Sequence, residues 1–299
     1  MPSIPMLARF AFPTLTIGVT CLLSSGCDLP RFSATKDFQK TITVNSPTEI
    51  VADTFNGSIE VTAGSNNEVE VLAHLVAYAD SDALAREKLD SLIPEINTTT
   101  EALTIRSTKS KEQGSIMDSV RFELKVPAGW PLKLTTSNGT VKCEGLRGPV
   151  LVKTSNGRIQ VKEAVGKISL TTSNGSVEVA QSQGTVHVHT SNGRIELQQC
   201  TLQGDNELST SNGAISVGLV PNSPIAITAN TSNGSIKCDE SSVQISDKSS
   251  RHLTGIMTSN ESSATSQVKL DLKTSNGSVS IKKNDAPTVS GSEAKSNAL

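Results

Sequence analysis

The sequence predicts an all-β chain folded as a β-solenoid, parallel β-helix-like, with coils of about 18–21 residues and one short capping helix near the N-terminal part. Three observations carry this expectation. The tetrapeptide Thr-Ser-Asn-Gly recurs from Thr136, Thr154, Thr172, Thr190, Thr210, Thr231 and Thr274, at spacings of 18, 18, 18, 20, 21 and 43 residues, the last about two periods. The residues flanking each turn alternate between apolar and polar, the period of strands with one buried face. Aromatic residues make up 3%, with one Trp and one Tyr, so the core must be thin and built from Val, Ile and Leu, which suits narrow sheets.

Residues 1–27 differ from all that follows. Arg9 is the one charged side chain before an apolar run through Phe10, Phe12, Leu15, Ile17, Val19, Leu22 and Leu23, and Ser24-Ser25-Gly26 then precede Cys27. A basic start, a short apolar stretch and small residues before a cleavage point describe a secretory signal. Pro13, Thr14, Thr16 and Thr20 interrupt the run too often for a membrane span of about 20 residues. Leu-Ser-Ser-Gly-Cys resembles the lipobox of bacterial lipoproteins, with Ser24 where Leu is usual. That resemblance implies that Cys27 is lipidated with palmitate-type chains. The chain would then be exported and held on a bacterial membrane, facing the periplasm or the cell surface. Each buried acyl CH₂ would add about 0.8 kcal/mol to the hold.

Residues 28–40 read as a tether, and residues 41–283 as the folded domain. Ile42 and Val44, then Val69 and Val71, alternate with polar neighbours around a turn at Phe55-Asn56-Gly57. Residues 82–93 form the one convincing helix. Ser81 or Asp82 can cap it, Ala85, Leu89, Leu92 and Ile93 share a face, and Pro94 follows. Such a helix could cover an open solenoid end, whose unpaired strand edge would otherwise invite aggregation. Strands resume at Leu103 and Ile105 and again from Val120 to Val126, before regular repeats from about residue 130. Residues 284–299, rich in Ser, Asn and Ala, read as a disordered tail.

The repeats place a turn at Asn56-Gly57, Asn138-Gly139, Asn156-Gly157, Asn174-Gly175, Asn192-Gly193, Asn212-Gly213, Asn233-Gly234 and Asn276-Gly277. Five and seven residues after each Thr stand inward apolar positions, such as Ile159 and Val161 or Ile195 and Leu197. Two and four residues before it stand Val152 and Val150, or Leu170 and Ile168; Asn206 is the exception. Gly148, Gly166, Gly184 and Gly204 mark a second corner. Gly and Asn tolerate φ > 0, so both corners have the residues a sharp bend needs. Asn-Gly between alternating strands also fits an antiparallel meander. Only a solenoid gives successive turns a reason to be identical, since stacked corners can form amide ladders. The insertion between Ile236 and Thr274 leaves the coil count across residues 238–270 open.

Net charge is −2 and no basic run stands out, which excludes an electrostatic footprint for nucleic acid. No nucleophile elbow, phosphate loop, zinc spacing or paired-carboxylate motif is present, and no cofactor is expected. His187 and His189 should point outward, with Glu207 beside His187 one coil on; two imidazoles and a carboxylate form a weak metal candidate. Cys143 and Cys238 occupy inward positions as small hydrophobes, and Cys200 in the second corner reads as the more exposed thiol.

The recurring Ser-Asn-Gly-x-Ile/Val-x-Val unit, with the upstream Phe55–Val61 segment, the helix and the Val120–Gly129 lead-in, resembles the bacterial adhesin-like domain family of unknown function, related to head-GIN domains. The resemblance spans roughly residues 41–283. It implies a β-solenoid, an envelope location and a non-catalytic adhesin-like binding or scaffold module, with an envelope protein or polysaccharide as partner. A second reading is an envelope-stress component contacting a membrane partner. A third, a carbohydrate-active β-helix enzyme, needs a facing pair of carboxylates that the outward positions do not supply.

Overall fold

The computed structural model describes residues 32–284 apart from 45, 47, 66, 108–116 and 259–267. The expected signal segment with Cys27, the first part of the tether and residues 285–299 lie outside the described residues.

In chain order the first part contains β1 (Phe32–Thr43), β2 (Glu49–Asn56), β3 (Ile59–Gly64), β4 (Glu68–Ala79), α1 (Asp82–Ser91), β5 (Glu95–Thr98), β6 (Ala102–Arg106) and β7 (Ser119–Pro127). The regular part runs through β8 (Leu132–Asn138), β9 (Val141–Glu144), β10 (Val150–Thr154), β11 (Ile159–Lys162), β12 (Val165–Thr172), β13 (Val177–Ala180), β14 (Gln183–Thr190), β15 (Ile195–Leu202), β16 (Asp205–Thr210) and β17 (Ile215–Leu219). It closes with β18 (Ile225–Thr231), β19 (Ile236–Cys238), β20 (Val243–Lys248), β21 (His252–Met257), β22 (Val268–Thr274) and β23 (Val279–Lys283).

The fold is the expected β-solenoid. Strands that lead into the Ser-Asn-Gly turn form an entry sheet, and strands that leave it form an exit sheet. Thr136, Thr154 and Thr172 stand side by side in the entry sheet, and Val141, Ile159 and Val177 in the exit sheet, all in parallel register. The antiparallel meander is thereby excluded for the repeats.

Spatial order departs from chain order at both ends. The β2–β3 coil lies between the β6–β7 coil and the β8–β9 coil. The β22–β23 coil lies between β16–β17 and β18–β19. The open stretch between Ile236 and Thr274 therefore adds no coil of its own among the described residues. It forms a hairpin, β20–β21, whose second strand runs antiparallel along the outer side of β18.

At the other end β4 and β1 extend the exit sheet antiparallel beyond β7, and α1 packs on both of them. Ser81 caps the helix by accepting from the Leu84 backbone N–H, and Ala85, Leu89 and Leu92 join the core. The helix thus covers the part of the exit sheet that reaches past the entry sheet, in line with the capping role. The tether expectation needs correction: residues 32–40 belong to β1, whose register runs from Phe32 opposite Ala79 to Thr43 opposite Glu68. Strong pairing to the apolar strand β4 holds this polar segment, a tertiary effect that its own composition does not signal.

The two corners differ in turn chemistry, with positive φ general at the second and not at the Ser-Asn-Gly turn. No Ser-Asn-Gly glycine has φ in the left-handed range; Gly57 of the Phe55-Asn56-Gly57 turn does, at 148°, and no Asn of these turns does. Glycine is required by stacking instead: a Cβ on Gly175 would lie 1.9 Å from the carbonyl oxygen of Gly157, and the same clash recurs at Gly157, Gly193 and Gly277. The second corner does use positive φ: Gly145 (φ 74°), Glu163 (53°), Gln181 (50°) and Gln199 (53°) lead into it, and the expected corner glycines Gly166 (129°), Gly184 (135°) and Gly204 (63°) follow. Each side chain there accepts a strained backbone at a cost of about 1–2 kcal/mol.

The interior is filled by Val, Ile and Leu, with Phe122 the one aromatic side chain wholly buried among the described residues. Asn206, the exception to the inward pattern, is buried. Its Oδ1 accepts from the Val186 N–H at 2.8 Å, and its Nδ2 donates to Gly204 O and Lys269 O. It satisfies backbone groups where β14 and β16 pair only from His187 onward. The cysteine expectation is reversed in part: Cys200 is wholly buried, and Cys238, at the end of the three-residue β19, is half-buried. A bulge between Leu197 and Cys200 turns Cys200 inward. Cys143 is buried as expected, and all three described thiols are free.

Candidate binding surface

The Thr-Ser-Asn-Gly turns build a continuous polar edge. Asn233 Nδ2 donates to Asn276 Oδ1, Asn276 to Asn212, Asn212 to Asn192, Asn192 to Asn174, Asn174 to Asn156, Asn156 to Asn138 and Asn138 to Asn56, each at 2.7–2.9 Å. The ladder ends where Asn56 Nδ2 donates to the Asp118 carbonyl at 3.3 Å. Beneath it the buried Thr hydroxyls bridge the coils: Thr172 Oγ1 donates to Gly157 O at 3.2 Å, and Thr274 Oγ1 to Gly213 O at 2.9 Å. The Ser side chains between them remain at the surface. Ser joins the coils through its backbone instead, as where Ser155 O accepts from the Asn174 N–H at 2.8 Å. The Thr hydroxyl was not foreseen, although its recurrence in every copy, where Val would fill the same space, was the signal.

The His187, His189 and Glu207 group lies on the outer face of the entry sheet, with His187 directly opposite Glu207 and His189 opposite Ser209. The ring contacts are already committed: His187 Nε2 meets the Asp205 carbonyl at 3.0 Å, and His189 Nδ1 meets Ser209 Oγ at 2.9 Å. Lys273 Nζ donates to Glu207 Oε1 at 2.9 Å, and this hydrogen bond holds the Glu207 carboxyl below the usual carboxylate range. An ammonium at that position repels a cation, so the weak metal candidate is replaced by an ion pair. Among the described residues no group of three or more His, Cys, Asp or Glu side chains is gathered to hold a metal.

Lys273 also lines a shallow open groove of about 490 Å³ across β14, β16, β22 and β18, together with His189, Ser209, Ser211, Asn230 and Ser275. Its lining is hydroxyl, amide, imidazole and ammonium. It draws on residues 84 positions apart, Lys273 and His189, because the β22–β23 coil is threaded between earlier coils. Elsewhere outward side chains pair along the stack, and near its first coils Arg121 joins Glu60 at 3.4 Å and Glu123 at 2.8 Å. Gln160 Nε2 donates to Glu178, Lys142 to Glu60, and Arg158 Nε to Ser176 Oγ. Near β1, His74 stands between Asp37 at 2.8 Å and Glu123 at 3.4 Å.

The profile of the Toastrack DUF4097 family matches residues 56–282, well over half of the chain, and the chain belongs to that family. Among solved structures it is similar to an adhesin candidate of Parabacteroides distasonis ATCC 8503, at 13% identity and TM-score 0.39, covering 83% of this chain and 97% of that one. An adhesin candidate of Bacteroides fragilis NCTC 9343 gives 11% identity and TM-score 0.37, with the same coverages of 83% and 97%. A lipid-binding candidate of Parabacteroides distasonis ATCC 8503 gives 12% identity and TM-score 0.35, again covering 83% and 97%. No curated protein matches the chain in sequence.

Proposed function

We propose, with membership of the Toastrack DUF4097 family as the premise, that this protein is a non-catalytic adhesin-like module. On this reading it is a lipoprotein held on a bacterial membrane through Cys27, which binds an extended envelope polymer or protein. The observation that carries the binding role is the outer surface itself. Hydroxyls, amides and paired charges recur at one coil spacing, about 4.8 Å, and meet a shallow polar groove rather than a deep apolar pocket. A flat periodic surface suits many weak contacts along an extended chain. The Leu23–Cys27 segment supports the anchor, since a single cysteine after small residues and an apolar run is what lipid transfer requires.

The test is to produce residues 28–299 and measure binding to glycan arrays, peptidoglycan fragments and purified envelope polymers, alongside lyase and hydrolase assays. Saturable binding weakened by substituting Lys273 and Asn230, without turnover, is the expected result. Turnover that disappears when an outward carboxylate is changed would overturn the non-catalytic reading.

A further inference from the structure

Four large apolar side chains stand exposed among the described residues: Phe32 (37% exposed), Phe55 (36%), Met117 (43%) and Val165 (38%). Three of them share one rim. Asn56, next to Phe55, donates to the carbonyl of Asp118, next to Met117, at 3.3 Å. Asp118 Oδ1 accepts from the Tyr78 backbone N–H at 2.9 Å, and Tyr78 lies opposite Ser33, next to Phe32. Phe32, Phe55 and Met117 thus gather around Asp118 at the β1 end of the stack, on the Ser-Asn-Gly side. Phe55 occupies the motif position that carries Ser in the seven later copies, so the polar edge turns apolar only at this end. No aromatic residue follows Trp130 in the sequence.

The chain outside the described residues ends at the same place. Because β1 begins at Phe32, four residues separate it from Cys27, and the five Cα steps reach at most about 18 Å when fully extended. We propose that this rim rests in the surface of the lipid bilayer that holds Cys27, with Phe32, Phe55 and Met117 as the inserted side chains. The proposal rests on the lipid-anchor reading and adds an orientation to it. The rim end faces the membrane, and the nine coils stand away from it, carrying the polar groove, on the sixth to ninth coils, about 24–38 Å outward at about 4.8 Å per coil. Phe and other apolar side chains at a polar rim bury into the boundary between headgroups and acyl chains. The neighbouring charges do not favour an anionic surface, since Asp80 is exposed and Asp82 is paired with Arg86. The contact is therefore apolar and should persist at high salt.

The test uses the full chain, processed and lipidated in a bacterial host and reconstituted into zwitterionic phosphatidylcholine vesicles with or without brominated acyl chains. The parent protein supplies the background, because its one Trp, Trp130, is buried. Two variants place a Trp at the same motif position at opposite ends: Phe55→Trp at the rim and Ser232→Trp in the last coil. Quenching by brominated lipid in Phe55→Trp, unchanged in high salt, with none in Ser232→Trp, is the expected result. No quenching in Phe55→Trp on vesicle-bound protein, or equal quenching at both ends, would overturn the rim contact. Flotation with the vesicles tests the anchor separately. If Cys27→Ser floats as well as the parent, the anchor reading fails while a quenched Phe55→Trp still sustains the rim; a parent that does not float removes both.

Discussion

Asn192 Nδ2 donates to Asn174 Oδ1 at 2.8 Å, and Asn174 passes the same bond to Asn156 at 2.9 Å. Each amide is donor to one coil and acceptor from the next. Removing one side chain therefore breaks two bonds and strands a donor and an acceptor. Asn174→Ala is expected to lower stability by about 1–2 kcal/mol, read from urea unfolding, against about 1 kcal/mol for a single lost bond.

Gly175 answers to a different constraint. A methyl group there would stand 1.9 Å from the Gly157 carbonyl, backbone that cannot move without parting two coils, whereas a Cβ at Gly129 meets nothing within 4 Å. Gly175→Ala should cost at least about 3 kcal/mol, in the range of severe overpacking, and Gly129→Ala about 1 kcal/mol or less. Thermal unfolding of the two variants side by side checks the contrast.

Gln181 holds φ at 50° in the second corner, as Gly145 does at 74° two coils earlier. Glycine carries no steric penalty in that region, although it adds freedom to the unfolded chain. Gln181→Gly is expected to raise stability by up to about 1 kcal/mol, and Gln181→Val to lower it; chemical denaturation of both decides.

The thiols should separate by burial. Desolvation pushes Cys143 up to about 12 and Cys200 up to about 11 from an ordinary 9.0, while Cys238 is raised but remains half-buried. In folded residues 28–299 a disulfide reagent at pH 8 should modify Cys238 alone, and all three thiols after unfolding. The folded state holds the two buried protons more tightly than the unfolded state. Their contribution to stability is thus complete below pH 9 and is lost as pH rises toward 11 and 12.

The Lys273–Glu207 pair gives a titration with the opposite sign. The lysine's hydrogen bond lowers the Glu207 carboxyl, so its small stabilising share is present above the ordinary carboxylate range and is lost as pH falls through the lowered value. In Lys273→Met the Glu207 carboxyl should titrate at higher pH, followed by carboxyl-carbon NMR. An unchanged titration would show that the ion pair is not formed in solution.

The sequence by itself determined the period, the two strands of each coil, the inward Val, Ile and Leu positions and the amide edge. Those features repeat within 18–21 residues, and local alternation and turn residues encode them directly. The pairing of His187 with Glu207 was equally legible, because one coil separates them. Tertiary structure alone decided which coil lies beside which at the two ends, where spatial order departs from chain order. Any Thr-Ser-Asn-Gly coil offers the same Asn amide, Thr hydroxyl and Gly carbonyl to either side, so local pattern cannot rank its neighbours. The ends settle the order. The β6–β7 coil lacks the motif and meets Asn56 and Thr54 with the carbonyls of Asp118 and Val120, so it closes one end. At the other end β18 carries the β20–β21 hairpin along its outer side, which forces β22–β23 inward and brings Lys273 to Glu207 across 66 residues of chain. The same closure decided that residues 32–40 form a strand, since an apolar β4 with an open edge takes the nearest chain able to satisfy its backbone groups.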